Sequence, residues 1–247
     1  MPSVEWNRAA WSQRHGWEQH GDEWSGMASA CGQPYELWKE ALVDTFVAPS
    51  LTPASDVLEI APGHGRWTEH LLAGAGSVVI VDINQECLDA CRVRFSDDPR
   101  LRGHLTTGSS LSFLDGRSID FAWSFDSFVH MEGDVIKGYL SELARVLRPG
   151  GRAVIHHAGL RRWSLPLVPV TRRLGLVGRV VQRLAGQGRW RDSGNRSPVA
   201  REDVASWARV VGLTVERQTQ CWGDRGQYDV RKYGDWITIL NKPDAKV

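Results

Sequence analysis

The 247-residue sequence predicts one α/β domain with a mostly parallel sheet, and three observations support this fold class. Short apolar runs alternate with stretches whose apolar residues recur at helical spacing. One of these runs leads directly into a glycine-rich turn. The alternation is typical of βαβ units, in which helices connect parallel strands. The length allows one sizeable core and is short for two full domains.

Four short apolar runs are predicted to form strands at 57–60, 78–81, 119–125 and 153–155, and two further strands are predicted at 214–220 and 236–240. The intervening helices are predicted at 67–73, 85–94, 135–147 and 201–211. The chain then divides into a helical, Trp-rich lid (1–45), a core (46–160), an Arg-rich insertion or cap (161–198) and a C-terminal part that completes the sheet (199–247).

Residues 161–198 carry nine Arg and one acid, Asp192, which gives a local charge of +8 in a chain of net charge +1. Five apolar residues at helical spacing predict an amphipathic helix here: Val170, Leu174, Val177, Val181 and Leu184. Three interpretations stay open: a cap over the acceptor or a homodimer surface, a surface for an anionic acceptor, or a helix on an anionic membrane. We favour the first, and expect neither nucleic acid nor a membrane as partner.

Composition and cysteine spacing narrow the class of protein. With 42% hydrophobic and 24% charged residues, the chain resembles soluble globular proteins. It has no apolar run of the roughly 18 residues that a membrane span needs, and its first 17 residues lack the apolar centre of a signal peptide. The four Cys have neither metal nor redox spacing. We therefore expect a cytoplasmic protein.

The glycine-rich turn lies in Val57-Leu-Glu-Ile-Ala-Pro-Gly-His-Gly-Arg-Trp67. Glycine suits such a turn because a Cβ would keep the backbone away from a ligand. Seventeen residues after Gly65, the second strand ends in Asp82, whose carboxylate could accept hydrogen bonds from both hydroxyls of a ribose. A dinucleotide site would require a third glycine where Thr68 stands, and Glu59 has no role in holding a pyrophosphate. A tight turn without a ligand remains the alternative.

Together with Leu147-Arg-Pro-Gly-Gly151 before the next strand, these residues resemble the class I, Rossmann-like S-adenosylmethionine (SAM) methyltransferases over about residues 55–157. The resemblance implies a SAM-dependent enzyme with a seven-stranded sheet whose last strand, near 236–240, runs antiparallel. It implies these cofactor-binding residues: Glu59, Ala61, Gly63, Gly65, Trp67, Asp82, Ile83, Ser109, Ser110 and Phe125. One departure from the family is that serine stands where an acid usually contacts adenine.

Histidines follow two neighbouring strands and predict the catalytic base. Methyl transfer mainly requires positioning, but a hydroxyl acceptor must also lose its proton, and a positioned His accelerates that step by roughly 10²–10⁴-fold. His130 follows the predicted strand at 119–125, and His156 and His157 lie at the end of the predicted strand at 153–155. We expect His130 or His157 to be the base, although only one of the adjacent pair need face the site. Structural hydrogen bonding is the alternative for each.

Asp126, at the end of the predicted strand at 119–125, is a further catalytic candidate beside these histidines. Carboxylate and imidazole groups are also common metal ligands. Asp126, His156 and His157 could therefore hold Mg²⁺ or another divalent cation.

The acceptor is suggested by a narrower resemblance. The runs 21–25, 59–67, 124–132 and 155–157 resemble bacterial methyltransferases of glycan assembly, notably mycobacterial sugar 1-O-methyltransferases of methylmannose polysaccharide biosynthesis. This implies O-methylation of a sugar or short oligosaccharide such as a mannoside. Candidate substrate-binding residues are Trp24, Trp222, Arg225 and Tyr228, since aromatic faces stack on sugar rings. The alternatives are an O- or N-methyltransferase of a natural product or phosphonate, and a non-catalytic SAM-binding module.

Overall fold

The computed structural model describes residues 3–12, 32–159, 173–184 and 196–244. Its strands are β1 (Asp56–Ile60), β2 (Ser77–Asp82), β3 (Leu101–Leu105), β4 (Ile119–Ser124), β5 (Leu147–Ala158), β6 (Thr214–Thr219), β7 (Cys221–Trp222), β8 (Tyr228–Asp229) and β9 (Asp235–Asn241). Its α-helices are α1 (Val4–Ala10), α2 (Tyr35–Leu42), α3 (Thr68–Gly74), α4 (Gln85–Arg94), α5 (Gly133–Val146), α6 (Gly175–Leu184) and α7 (Arg201–Val210).

Seven of these strands form one sheet in the order β3-β2-β1-β4-β5-β9-β6. The first five run parallel to one another, and β9 lies antiparallel between β5 and β6. The predicted fold class is therefore confirmed, including the antiparallel last strand. The remaining two strands, β7 and β8, form a separate hairpin.

Helices cover both faces of the sheet and bury two apolar clusters. On one face, Trp38 and Leu42 of α2 belong to the same buried cluster as Phe121 and Trp123 of β4. On the other face, α5 contributes its apolar stripe to a cluster with β1 and α7. The members of that stripe recur every three or four residues, as a helix with one buried face requires: Ile136, Leu140, Leu143 and Val146.

The structure differs from the sequence prediction at three places in its strands. β3 was not predicted, because it lies at the edge of the sheet and every residue in it is half-buried or exposed, so it contains no apolar run. β5 begins at Leu147, so the predicted turn at 147–151 lies within the strand, where its register with β4 is irregular. The hairpin β7–β8 lies between the predicted strands at 214–220 and 236–240, where no strand was predicted.

The described part of the Arg-rich insertion contains the helix that the sequence predicted there. This helix is α6, whereas Val170 lies outside the described residues. A search of the described ranges finds no helix with the length and apolar character needed to cross a membrane.

Gly65 provides a test of the turn between β1 and α3. Its φ is +85°, and a Cβ built on it would lie 2.7 Å from the ring of Phe95. We expect Gly65→Ala to lower the free energy of unfolding by about 1–3 kcal/mol, because backbone strain adds to the steric conflict. Gly212→Ala is the matched control, since Gly212 has φ +86° and no atom within 4 Å of the added Cβ. If urea unfolding shows that both variants lose the same free energy of unfolding, the contact with Phe95 contributes nothing to the loss.

Candidate active site

A cleft opens where β1, β2 and β4 end, beneath α1. It holds about 920 Å³ of space, counting the part that is open to solvent. Parallel sheets bind ligands at this edge, because the loops that leave the carboxyl ends of neighbouring strands form a crevice there.

The turn after β1 forms the first wall of the cleft. Three of the residues that the sequence proposes for cofactor binding, Ala61, Gly63 and Trp67, line it, together with Arg66, which that proposal did not include. The amide of Ala61 donates to the carbonyl of Val81 across the sheet, at 2.7 Å. Ala61 and Gly63 both have positive φ, so the chain reverses within a few residues and leaves its backbone at the cleft.

Glu59 and Gly65 support this turn and do not line the cleft. Glu59 is buried, and its Oε2 accepts a 2.6 Å hydrogen bond from the hydroxyl of Thr68 at the start of α3. Burial raises the pKa of Glu59 to about 7, against the opposing effects of Thr68 and Arg66. The carboxyl group thereby connects the end of β1 to the helix that follows it.

Asp82, which ends β2, forms the second wall. The residue is buried but lines the cleft, and the amide of Asn84 donates to its Oδ1 at 2.8 Å. Burial raises the pKa of Asp82 to about 6, and hydrogen bonds from the backbones of Asn84, Gly63 and Ile83 partly offset this. A carboxylate held at this edge can accept hydrogen bonds from two adjacent hydroxyls.

The loop after β3 reaches the cleft at a residue the sequence prediction did not choose. Gly108 lines the wall, whereas Ser109 and Ser110 do not. The Ser110 hydroxyl donates instead to Ser112 at 3.3 Å.

Helix α1 covers the cleft and was predicted only as part of a Trp-rich lid. Val4, Asn7 and Trp11 line the cleft. The Asn7 side chain donates to the carbonyl of His130 at 2.8 Å, and the Asn84 side chain donates to the carbonyl of Trp11 at 3.2 Å. The helix therefore connects the end of β2 with the turn after β4. These contacts were missed because they join distant parts of the chain.

The third wall follows β4. Phe125, Asp126 and Ser127 line it, and Glu132 lines it a few residues later. Asp126 has φ +69°, which a non-glycine residue adopts at some energetic cost. His130 does not line the cleft, but its ring centroid lies 5.0 Å from that of Trp11.

His156 supports Asp126 from inside the sheet. It is fully buried, its ring stacks on Phe125 at 4.2 Å, and its Nδ1 accepts a 3.1 Å hydrogen bond from the Asp126 amide. Burial lowers the pKa of His156, although Asp235 acts in the opposite direction. A neutral ring that accepts at Nδ1 carries its proton on Nε2, which lies 3.5 Å from the carboxylate of Asp235.

Asp235 completes this buried network. Its carboxylate forms an ion pair with Arg196, which directly follows the undescribed residues 185–195 of the insertion. Burial alone would raise the pKa of Asp235, but Arg196 and His156 lower it below the usual value. The chain Arg196–Asp235–His156–Asp126 thus joins the insertion to the cleft.

His157 is not brought to the cleft. It is buried, with Nδ1 2.5 Å from the Ala158 carbonyl and Nε2 2.6 Å from the Thr238 hydroxyl. Burial lowers the pKa of His157 to about 4. Because adjacent residues of a strand point to opposite faces, His156 takes the place beside Asp126.

The predicted metal ligands do not converge. His156 and His157 point to opposite faces of β5, and the ring of His157 is engaged at both nitrogens. Throughout ranges 3–12, 32–159, 173–184 and 196–244, no group of three or more His, Cys, Asp or Glu residues could hold a metal ion.

The predicted substrate residues lie away from the cleft or outside the described ranges. Trp24 belongs to the undescribed residues. Trp222 is a core residue whose Nε1 donates to the Trp38 carbonyl at 3.1 Å. Arg225 is exposed and Tyr228 half-buried at the hairpin β7–β8, and neither lines the cleft.

Comparison with known proteins identifies the family. Residues 57–151 match the family model described as "Methyltransferase domain". The demethylmenaquinone methyltransferase of Clavibacter sepedonicus is 30% identical over 192 residues, 72% of either chain. The chain belongs to the class I SAM-dependent methyltransferases. A second relative of this methyltransferase, the ribosomal RNA small subunit methyltransferase A of Dehalococcoides mccartyi, is 34% identical over 71 residues, only 29% of this chain and 24% of that protein.

Solved structures of low identity share the fold of this methyltransferase. A Haloferax volcanii methyltransferase in complex with the Trm112 activator has a TM-score of 0.62 at 18% identity, with 98% of this chain and 97% of that chain covered. The geranyl diphosphate C-methyltransferase of Streptomyces coelicolor has a TM-score of 0.57 at 12% identity, with 84% and 79% covered.

The residues that line the cleft fit SAM. SAM carries a ribose with two adjacent hydroxyls, and the buried Asp82 carboxylate offers acceptors for both. Its sulfonium is positively charged, and Asp126 and Glu132 place two acidic side chains on the cleft wall. The aromatic rings of Trp67 and Phe125 provide apolar faces beside them.

Asp82 provides a test of cofactor binding. We expect Asp82→Ala to weaken binding of S-adenosylhomocysteine at least tenfold, because charge-assisted hydrogen bonds of about 1.5–3 kcal/mol are lost. With a pKa raised to about 6, the carboxylate is ionised at pH 8 and largely protonated at pH 5. Affinity for the unsubstituted protein should therefore fall as the pH is lowered through 6, and Asp82→Asn should lose this dependence.

Isothermal titration calorimetry measures both effects. Asp89→Ala is the control, since Asp89 is an exposed acid on α4 that does not line the cleft. If Asp82→Ala binds as tightly as Asp89→Ala, Asp82 does not hold the ribose.

Proposed function

We propose that this methyltransferase transfers the SAM methyl group to a hydroxyl of a small-molecule acceptor, with sugars or short mannoside-like oligosaccharides as the first class. The observation that carries the proposal is the wall after β4, where Asp126, Ser127 and Glu132 line the cleft beside Phe125 and Trp11. Carboxylate and hydroxyl oxygens accept hydrogen bonds from acceptor hydroxyls, and aromatic faces suit the C–H faces of a sugar ring. The sequence resemblance to sugar methyltransferases supports the same class.

The residues that would hold SAM follow from the walls of the cleft. We expect Asp82 to bind the ribose, the backbone around Gly63 to contact the methionine part, and Ile83 and Gly108 to border the adenine. When bound, SAM supplies a methyl group on a positively charged sulfur, and the protein's part is chiefly to align the acceptor with it and to exclude water.

Asp126 and His130 are the residues we propose for removing the acceptor's proton. Asp126 lines the cleft, and His130 contacts Trp11 on the turn that borders it. We assign His156 a positioning role, because it holds the backbone of Asp126 and is itself fully buried. His157 has no role in this proposal, since both of its ring nitrogens are engaged inside the sheet.

The relative from Clavibacter sepedonicus favours a second candidate, an apolar quinone-like acceptor. Its support is the 30% identity over 192 residues to a demethylmenaquinone methyltransferase. Apolar side chains of the cleft wall, among them Met131 and Val135, are compatible with such an acceptor.

An acceptor screen with methyl-labelled SAM separates these classes. The panel contains mannosides, other sugars, quinols, phosphonates and amines. Transfer of label to a sugar hydroxyl supports the first candidate. Labelling of quinols alone replaces it with the second, and labelling of amines alone contradicts both.

The base is tested with whichever acceptor the screen finds. We expect His130→Ala or Asp126→Ala to lower turnover by roughly 10²–10⁴-fold while S-adenosylhomocysteine affinity changes little, since the lost proton acceptor acts only in the chemical step. His104→Ala, on β3 and away from the cleft wall, is the control. Near-normal turnover in both test variants would contradict the general-base proposal.

A further inference from the structure

Two polar side chains of α4 donate hydrogen bonds to the backbone of the turn after β1. The Cys91 thiol donates to the carbonyl of Gly63 at 3.4 Å, and the Arg94 guanidinium donates to the carbonyl of His64 at 2.9 Å. Because a peptide group is planar, a carbonyl that is held in place also fixes the amide group bonded to it. These two hydrogen bonds therefore set the orientation of two successive peptide planes of the turn.

The third residue of this turn is held by an aromatic ring. Phe95 directly follows α4, and its ring lies 2.7 Å from the position that a Cβ on Gly65 would take. The guanidinium carbon of Arg94 lies 5.4 Å from the centre of the same ring. A second nitrogen of Arg94 donates to Oε2 of Glu69 on α3 at 2.7 Å. Arg94 is 43% exposed, but three partners fix its guanidinium group, unlike that of an isolated surface ion pair.

The Cys91 thiol is held as a proton donor. Cys91 is fully buried, and burial raises the pKa of its thiol. The nearby carboxylates of Glu59 and Asp82 raise this pKa further. The thiol therefore keeps its proton at neutral pH and can donate it to the Gly63 carbonyl.

The turn needs such support because its glycines do not select one backbone conformation. Gly63 and Gly65 both have positive φ, and glycine adopts positive and negative φ about equally readily. Helix α4 is itself held firmly, since Cys87, Leu88 and Cys91 are buried where it packs on β2 and β3. Contacts from α4 can therefore decide the conformation of the turn.

We propose that Arg94 and Cys91 are positioning residues, which hold residues 63–65 in the conformation that binds the methionine part of SAM. Neither residue lines the cleft, so both act through the backbone of the turn and not by touching the cofactor. The inference rests on the proposed contact between the Gly63 backbone and SAM. It does not depend on the class of acceptor.

Calorimetry with S-adenosylhomocysteine tests Arg94 on the full chain. We expect Arg94→Ala to bind it about fivefold to tenfold more weakly, because the hydrogen bond from a charged group to the turn is lost. Arg94→Lys keeps one donor for the His64 carbonyl and should recover part of this loss. Arg92→Ala is the matched control, since Arg92 lies on the same helix, is 65% exposed and pairs with Asp89.

Amide hydrogen exchange of the protein without ligand gives a second measurement. Residues 61–67 should exchange faster in Arg94→Ala than in Arg92→Ala, because the turn opens more often when its support is removed. The rest of the chain should exchange at an unchanged rate, and the melting temperature should change little.

A pair of variants tests Cys91. Cys91→Ser keeps a donor of similar size for the Gly63 carbonyl, whereas Cys91→Ala removes it. We expect Cys91→Ala to bind S-adenosylhomocysteine about threefold more weakly than Cys91→Ser, because one hydrogen bond is lost. Equal affinities of the two variants would overturn the role of the thiol.

The remaining results for Arg94 also support or overturn the proposal. Weaker binding with faster exchange confined to the turn supports it. Equal affinity in Arg94→Ala and Arg92→Ala overturns it, and so does a fall in melting temperature with faster exchange throughout the chain, which would indicate a purely structural role. If Asp82→Ala weakens binding and Arg94→Ala does not, the positioning proposal alone fails. If neither variant weakens binding, the placement of SAM in the cleft fails as well.

Discussion

The site depends on the parallel pairing of β1 between β2 and β4. Residues 57–60 pair with 78–81 on one side, and residues 57–59 pair with 121–123 on the other. Since Val57, Leu58 and Ile60 are buried on alternating faces, a shift of one residue would exchange the two cores, and the register is therefore strongly specified. Three chain segments then leave the sheet at one edge, and every wall of the cleft begins from that edge.

The position of Asp126 in the cleft depends on a buried ion pair behind it, between Asp235 and Arg196. A buried ion pair is expensive to desolvate, and it contributes little net stability compared with a well-packed apolar pair. We therefore infer that the ion pair of Asp235 with Arg196 serves to orient His156 rather than to stabilise the fold. It faces the proton-bearing nitrogen of His156 and leaves the other nitrogen to hold Asp126 in an unfavourable backbone conformation. The inserted segment and the cleft are connected through this contact.

Local patterns in the sequence were sufficient to predict the strands with apolar runs and the turn with Gly63. They were not sufficient to predict features that depend on contacts between residues far apart in the sequence. β3 escaped prediction because an edge strand with half-exposed residues has no apolar run. The alternation of side chains along β5 predicted that one of two adjacent histidines would face the site. Which of the two does so depends on the register of β5 with β4, which is irregular and which no local pattern reveals. The covering helix α1 and the ion pair of Asp235 join residues that are far apart in sequence.

The position of β9 has a consequence for how the protein is made. β9 lies between β5 and β6, although it follows both of them in the chain. On the ribosome, β1 to β4 can pair as they emerge, but β6 has no neighbour until residues 235–241 leave the exit tunnel. The nascent chain therefore exposes an unpaired strand edge on β5 until β9 emerges, a state prone to association with other chains. His156 gains its carboxylate partner Asp235 at the same moment, so the support of Asp126 in the cleft is complete only after β9 has emerged.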